Sequence, residues 1–209
     1  MRLIQNKFGL KADPDLETSH TLKNGVKIWL SPPVMGEQHK HSKVAFSPYE
    51  RAVQIAEIAY LPMSIHPSLI NDVELKVGDM VACHHFCIQP ENLEKIGDQV
   101  FYRAFYQQLF CVIRDGEIIP LQDFIFCTPV YEDESKCKTP GGLWIKDKPD
   151  QLERQAKVEF VCKSAKDKDI YVGDTIHFMT NSDYWINIGG VKYWRMSVKR
   201  VNAKNAWVE

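Results

Sequence analysis

The sequence predicts an all-β protein made of two small β-barrels in tandem with long mobile loops. Throughout its 209 residues, short β-branched and aromatic runs alternate with Gly, Pro, Asn and Asp at turn positions. Asp115-Gly116 stands between two apolar runs and favours a type I′ hairpin turn, which needs positive φ at both central residues. An apolar-x-Val-Gly-Asp-x-apolar pattern occurs twice, which indicates an internal repeat.

The two Val-Gly-Asp patterns lie 95 residues apart, from Gly78 to Gly173. Each follows a strand-like run and a polar segment at a similar distance. Further along the chain, residues 112–121 parallel residues 186–196, because both read as strand, glycine turn and strand. The repeat therefore extends beyond a single turn.

This repeat divides the chain into three predicted parts. We expect an N-terminal arm over residues 1–11, a first barrel over 12–128 and a second barrel over 118–209. The ranges overlap because the strand at 118–130 fits either as the last strand of the first barrel or as the first strand of the second. Pattern alone leaves both assignments open.

Composition narrows the classes of function. The net charge is −1, so no clustered basic face is indicated, and we expect neither nucleic acid nor a membrane among the partners. No run approaches the 18 consecutive apolar residues of a membrane span, and the N-terminus lacks the apolar core of a signal peptide. We therefore expect a cytoplasmic protein, in which the six cysteines are reduced.

The segment after the strand at 124–130 has a different character. Residues 131–140 are charged and end in proline, a composition that buries too little apolar surface to offset the entropy of ordering the chain. A Gly-Gly pair and three large apolar residues follow, and they predict a binding site; the alternative is that the tripeptide folds back on its own barrel. The candidate site residues are Gly141, Gly142, Leu143, Trp144 and Ile145.

The order of strand, acidic and lysine-bearing loop, Gly-Gly and apolar tripeptide resembles the first strand and mobile loop of GroES, the co-chaperonin that caps the GroEL chamber. A strand at 158–161 and the Val-Gly-Asp stretch at 170–178 follow at the spacing of that family. The resemblance implies two GroES-like barrels and docking of residues 143–145 on a chaperonin. In the first barrel it would place a second loop contact at Val44, Ala45 and Phe46.

By this resemblance, the chain forms a homo-oligomeric ring, a heptamer in the family, and docks on a GroEL-type chaperonin to assist ATP-dependent protein folding. It needs no cofactor, because the hydrolysis belongs to the chaperonin. Its divergence is what we expect of a phage-encoded member acting in the host cytoplasm. The alternative is a structural ring or decoration component of a viral particle, in which residues 131–150 are ordered against a neighbour.

One cluster carries metal-ligand residue types, Cys83-His84-His85-Phe86-Cys87. On a strand, residues 83, 85 and 87 would share a face and provide at most three ligands, so we expect buried cysteines with histidines at a strand edge, and no metal. The chain has no G-x-G-x-x-G fingerprint, P-loop, nucleophile elbow or H-E-x-x-H motif. We therefore expect no enzymatic activity.

Overall fold

A computed structural model describes residues 6–12, 19–21, 27–29, 54–64 and 73–204. These residues are predominantly β-strand, which confirms the all-β prediction. The chain divides into two compact units, Met1–Glu117 and Ile118–Glu209. None of the helices in the described ranges is both long enough and apolar enough to cross a membrane.

The first sheet is formed by short strands connected through turns. The strands described up to residue 120 are β1 (Lys7–Lys11), β2 (Ser19–Thr21), β3 (Lys27–Trp29), β4 (Ile55–Tyr60), β5 (Met80–Cys83), β6 (Leu93–Ile96), β7 (Gln99–Phe105), β8 (Leu109–Arg114) and β9 (Glu117–Pro120). Seven of them form one sheet in the order β6-β7-β1-β4-β5-β8-β9, while β2 pairs with β3. Short 3₁₀ turns occupy Pro90–Asn92 and Tyr106–Gln108.

The second sheet has six strands in the order β13-β14-β10-β11-β12-β15. Its strands are β10 (Phe124–Tyr131), β11 (Gln151–Val161), β12 (Thr175–Phe178), β13 (Tyr184–Ile188), β14 (Val191–Ser197) and β15 (Val201–Lys204). A short helix, α1 (Lys163–Lys166), and 3₁₀ turns at Glu134–Cys137 and Val198–Arg200 complete the unit. Strand β10 pairs with β11 and β14 in the second sheet, whereas β9, which contains the start of the ambiguous segment 118–130, belongs to the first sheet.

Six strands of the first sheet have counterparts, in the same order, in the second sheet. The ladders also share their register. Gly9 lies opposite Tyr60 as Phe126 lies opposite Phe160, and the ladder shifts by a bulge after both Gly9 and Phe126. The other ladders correspond in register in the same way. The chain is therefore a structural tandem repeat.

The cores of the two units use the same positions with different residues. Where one unit has a large side chain, the other often has a small one, and only one of the nine buried pairs on strands and 3₁₀ turns is identical. Such exchanges keep a core filled when volume is compensated at neighbouring positions. The pairs are Phe8/Ile125, Leu10/Cys127, Ala56/Ala156, Ile58/Val158, Val81/Ile176, Cys83/Phe178, Tyr102/Trp194, Ala104/Met196 and Tyr106/Val198.

The glycines of the two Val-Gly-Asp turns have the same conformation, with φ of +90° at Gly78 and +92° at Gly173. This left-handed region favours glycine because it has no Cβ. The amide of Gly78 donates to the carbonyl of Ile58 at 2.8 Å, and that of Gly173 donates to the carbonyl of Val158 at 2.8 Å. The predicted pair of equivalent turns is confirmed.

The aspartates of the turns cap the preceding backbone. The Asp79 carboxylate accepts a hydrogen bond from the Lys76 amide at 2.7 Å, and Asp174 accepts one from the Tyr171 amide at 2.9 Å. Asp79 also accepts two hydrogen bonds from the Arg114 guanidinium, at 2.8 and 2.6 Å. These bonds from Arg114, followed by the one from the Lys76 amide, lower the pKa of Asp79 against the opposing effect of burial.

The hairpin turn predicted at Asp115-Gly116 is confirmed, with φ of 52° and 81° at its two residues. The predicted parallel between 112–121 and 186–196 is wrong. In the structure the hairpin turning at Gly189 corresponds to the one turning at Gly97, and both glycines have φ of +60°. A strand, a glycine turn and a strand recur too often in β proteins to identify the partner.

The described ladders do not close into barrels. The first sheet ends at β6 and β9, and the second ends at β13 and β15. In the described residues no ladder joins the two end strands of either sheet. The structure therefore establishes two sheets of repeated topology, which is coarser than the predicted pair of barrels.

Asparagine at position 79 would keep the side-chain volume and remove the charge that Arg114 contacts. We expect Asp79→Asn to lower the free energy of unfolding of the first unit by about 1.5–3 kcal/mol at pH 7. Because the folded pKa of Asp79 is lowered, this stabilisation is present above the unfolded pKa of about 3.9 and is lost as pH falls through the folded pKa. The deficit of the variant should therefore shrink in acid.

Amide hydrogen exchange in the strands of the first unit, followed through a urea titration, measures this difference. Asp174→Asn is the matched control, because Asp174 caps the equivalent turn and its carboxylate lies 3.9 Å from the Lys204 ammonium, beyond hydrogen-bond distance. Equal destabilisation by the two variants at pH 7 would contradict the role given to Arg114.

Candidate functional site

The candidate site residues lie on a small hairpin between β10 and β11, formed by residues 137–145, which we call the tip hairpin. The Thr139 amide donates to the Leu143 carbonyl at 2.8 Å, and the Ile145 amide donates to the Cys137 carbonyl at 2.8 Å. The turn itself is closed by the Gly142 amide, which donates to the Thr139 carbonyl at 2.8 Å. Gly-Gly and the apolar tripeptide are therefore parts of one ordered element.

Local sequence accounts for the turn. Pro140 occupies the second position, where its fixed φ suits a type I or II turn, and Gly141 follows it. Gly142 has φ of +82°, the conformation of the residue that completes a three-residue hairpin loop after a type I turn. The Thr139 hydroxyl accepts a further hydrogen bond from the Leu143 amide at 3.1 Å.

The apolar tripeptide is exposed to solvent. The exposed fractions are 73% for Leu143, 59% for Trp144 and 65% for Ile145. Cys137, at the base of the same hairpin, is fully buried. The tripeptide is therefore not buried against its own sheet, and it presents three large apolar side chains to solvent.

Side chains on the two faces of the tip hairpin differ. Lys138 and Trp144 form an isolated antiparallel bridge, and the Lys138 ammonium lies over the Trp144 ring at 4.3 Å from its centroid. A cation over an indole face is attracted by the negative potential of the ring. Leu143 and Ile145 lie on the opposite face, because successive residues of a strand alternate.

A backbone hydrogen bond and two ion pairs join the two ends of the loop between β10 and β11. The Glu132 amide donates to the Asp150 carbonyl at 2.8 Å, and the Lys146 ammonium contacts the carboxylates of Glu132 at 2.8 Å and Asp150 at 2.7 Å. Asp150 and Glu132 together raise the pKa of Lys146. Asp133 caps the 3₁₀ turn that follows by accepting from the Ser135 amide at 2.7 Å, which lowers the pKa of Asp133.

Residues 131–140 contain one buried residue, Cys137, in agreement with the low burial that their composition predicts. Their order comes instead from backbone hydrogen bonds and from the ion pairs of Lys146. Sequence reasoning missed Lys138 and Lys146. The spacing of four residues between Lys146 and Asp150 was an available signal, whereas the contact of Lys138 with Trp144 depends on the turn geometry.

The second loop contact predicted at Val44, Ala45 and Phe46 lies outside the described residues. The tip hairpin is therefore the candidate site that the structure describes.

The histidine and cysteine cluster does not continue as a strand. Strand β5 ends at Cys83, and the Cys87 amide donates to the His84 carbonyl at 2.8 Å in a turn. Burial and then the neighbouring His84 lower the pKa of His85 to about 4, while a hydrogen bond with Cys87 and burial raise that of the Cys83 thiol. Among the described residues, no three His, Cys, Asp or Glu side chains are grouped to hold a metal ion.

No protein-family model matches this chain, and no curated protein matches it. The interpretation of the tip hairpin therefore depends on its own geometry and on the sequence resemblance. That geometry is a preformed hairpin with an exposed aliphatic face, a Trp–Lys face and a charged base.

Alanine substitution at Gly142, compared with the same substitution at Gly141, tests the left-handed conformation of Gly142. We expect Gly142→Ala to destabilise the tip hairpin by about 1–2 kcal/mol, because a Cβ is strained at positive φ. Amide hydrogen exchange at Ile145, whose N–H is bonded to Cys137, should accelerate by about tenfold. Gly141→Ala is the control: its φ is not in the left-handed region and its Cβ would meet only Thr139 Oγ1 at 3.8 Å. Equal effects of the two changes would contradict the assigned turn.

The ion pairs at the base of the loop also make a testable contribution. We expect Lys146→Met to accelerate hydrogen exchange at the Glu132 amide, because the ammonium holds Glu132 and Asp150 together. High salt should produce a similar change in the wild type, since these groups are near the surface. Lys148→Met is the matched control, an exposed lysine two residues away. Wild-type exchange rates in Lys146→Met at low salt would overturn this role.

Proposed function

We propose that this chain is a co-chaperonin of the GroES type, which caps a GroEL-type chaperonin ring and assists ATP-dependent protein folding. The observation that carries the proposal is the exposed apolar tripeptide at 143–145, presented by a Gly-Gly turn on an ordered hairpin. The chaperonin would supply the nucleotide hydrolysis. The tip hairpin would supply the contact.

The repeated topology supports this proposal. Two sheets of the same strand order and register, each with a Val-Gly-Asp turn, are what a fusion of two GroES-like barrels would contain. In the second unit the tip hairpin joins the first two strands of the repeat, β10 and β11, the position of the docking loop in the resembling family. The proposal therefore includes tandem GroES-like barrels and assembly into a homo-oligomeric ring.

The size of the tip hairpin favours a multivalent partner. A stable interface of two proteins buries about 800 Å² on each partner, whereas three side chains supply only part of that area. Each apolar side chain contributes roughly 1.5–3 kcal/mol when it is fully buried. One hairpin would thus bind weakly, and a ring of hairpins would bind firmly through effective concentration. A lid that is released in each cycle needs this combination.

The second candidate is a GroES-fold ring or decoration component of a viral particle. The ordered hydrogen bonding of residues 132–150 favours it, because a loop held permanently against a neighbour would share that order. Limited proteolysis separates the two functions. A docking loop of a free co-chaperonin should be cut within 131–150, while a loop packed in a particle should survive.

Co-elution with a GroEL-type chaperonin tests the principal proposal. Size-exclusion chromatography without nucleotide, with ADP and with ATP should show nucleotide-dependent co-elution of the wild type. The triple variant Leu143→Ser/Trp144→Ser/Ile145→Ser should lose it, because the apolar surface of the tip is removed.

The matched control is Val172→Ser, at a side chain that is 60% exposed in the same unit but belongs to the Val-Gly-Asp turn. It should co-elute as the wild type does. Absence of wild-type binding with every nucleotide would overturn the co-chaperonin function, and undiminished binding of the triple variant would overturn the assigned site.

A further inference from the structure

We propose that Cys83 and Cys87 form a reversible disulfide, which makes the turn after β5 a redox site of the first unit. The oxidant is a low-molecular-weight disulfide of the oxidised glutathione type. This inference does not depend on the co-chaperonin function, because it concerns a different part of the chain and a different chemistry.

The turn after β5 brings the two cysteines together. Strand β5 ends at Cys83, and the Cys87 amide donates to the His84 carbonyl at 2.8 Å, which closes a four-residue turn. Both cysteine side chains are fully buried, and their thiols are hydrogen-bonded to each other. The two side chains therefore already point toward each other, as a disulfide requires.

The two cysteines differ in how firmly the backbone around them is held. The Cys83 amide donates to the Gln54 carbonyl at 2.7 Å, and the His84 amide donates to the Gln108 carbonyl at 2.8 Å, so this end of β5 is bonded on both sides. Cys87 lies beyond it, on the turn. Because turns open more readily than strand ladders, local opening exposes Cys87 before Cys83.

The second unit has other residues at both positions. Phe178 stands at the position of Cys83 in the core. The amide after Phe178 donates to a carbonyl just before β15 at 2.9 Å, as the amide after Cys83 does just before β8. Four residues after Phe178, the position of Cys87 is occupied by Ser182. The repeat therefore folds with side chains that form no disulfide here, so the fold alone does not require the two thiols.

Thiol–disulfide exchange provides a balanced reaction in two steps. In the first, the Cys87 thiolate attacks one sulfur of oxidised glutathione, and one glutathione leaves as a thiolate that takes up the proton released by Cys87. In the second, Cys83 attacks the Cys87 sulfur, the bond from Cys87 to glutathione breaks, and the proton of Cys83 passes to the departing glutathione. Two electrons leave the protein, and one glutathione disulfide becomes two thiols.

The state of the Cys83 thiol agrees with this order of attack. A hydrogen bond with Cys87 and burial raise the pKa of Cys83, which keeps this thiol protonated at neutral pH. Cys83 therefore acts second, when the mixed disulfide on Cys87 lies against it at high effective concentration. In a reducing compartment the pair stays reduced, and it is oxidised when disulfide accumulates in the pool of small thiols.

Equilibration of the full chain with mixtures of reduced and oxidised glutathione at about pH 8, followed to a plateau, tests the site. Intact mass and peptide mapping should show the loss of two hydrogen atoms and a link between Cys83 and Cys87, both reversed by dithiothreitol. The mixed disulfide should be at least about tenfold less abundant than the link. Hydrogen exchange at the Cys87 amide should slow as the link forms, because the link keeps the turn closed.

Single variants separate the roles of the thiols. Cys83→Ala should accumulate glutathione on Cys87, because the second attacking thiol is absent, whereas Cys87→Ser should take up glutathione on Cys83 at least about tenfold more slowly. Cys111→Ala is the matched control, since Cys111 is a third buried thiol, on β8 opposite Ala82. It should form the link at a glutathione ratio within about twofold of the wild type.

Hydrogen exchange in β5 shows whether each variant keeps the sheet, and Cys83→Val replaces Cys83→Ala if it does not. A link through Cys111, or a link that forms only in urea, would overturn the assigned pair. Equal rates of glutathione uptake by Cys83→Ala and Cys87→Ser would overturn the order of attack. An unchanged wild-type mass across the whole titration would overturn the redox site, while the co-chaperonin function, which is tested by co-elution, would stand.

Discussion

The left-handed glycine of each Val-Gly-Asp turn is the constraint on which both sheets depend. Gly78 and Gly173 return the chain so that an amide reaches the carbonyl of Ile58 or Val158 on the neighbouring strand. The carboxylate of the following aspartate satisfies a backbone donor at the start of the turn. Together these bonds fix the register of β4 against β5 and of β11 against β12. A slip of one residue would move every core side chain to the solvent face.

The sequence predicts those features whose backbone conformation depends on the local residue type. The turns at Gly78, Gly173 and Asp115-Gly116 could be predicted because positive φ restricts the residue choice. The correspondence of the other ladders could not be predicted, since core pairs such as Leu10 and Cys127 share a position but not a side chain. The parallel between residues 112–121 and 186–196 was wrong because the same pattern of strand, glycine turn and strand also occurs at Gly97, the true counterpart of the Gly189 turn. Long-range pairing, not composition, defines this repeat.

For the candidate site, the sequence predicts the tripeptide but not the ion pairs and the ring contact that stabilise the hairpin around it. The exposure of Leu143, Trp144 and Ile145 follows from a turn that only Pro140 and the two glycines specify. The ion pairs of Lys146 and the ring contact of Lys138 arise once that turn brings distant residues together. These contacts matter because ordering a loop residue costs roughly 1–2 kcal/mol of conformational entropy. The hydrogen bonds and ion pairs of the free hairpin already order part of the loop. A preformed tip loses less entropy on binding than a coil of the same composition.

Exposed apolar tips carry a risk of association, and the geometry of this one limits it. Contiguous apolar patches of several hundred Å² promote association, whereas the tip presents three side chains on two faces. With Lys138 over Trp144, one face retains a hydrated charge, which opposes the packing of two tips against each other. A single tip is thus too small to hold a partner firmly alone. In a ring of the proposed kind, the same small area would leave free tips apart and would let many tips together dock reversibly.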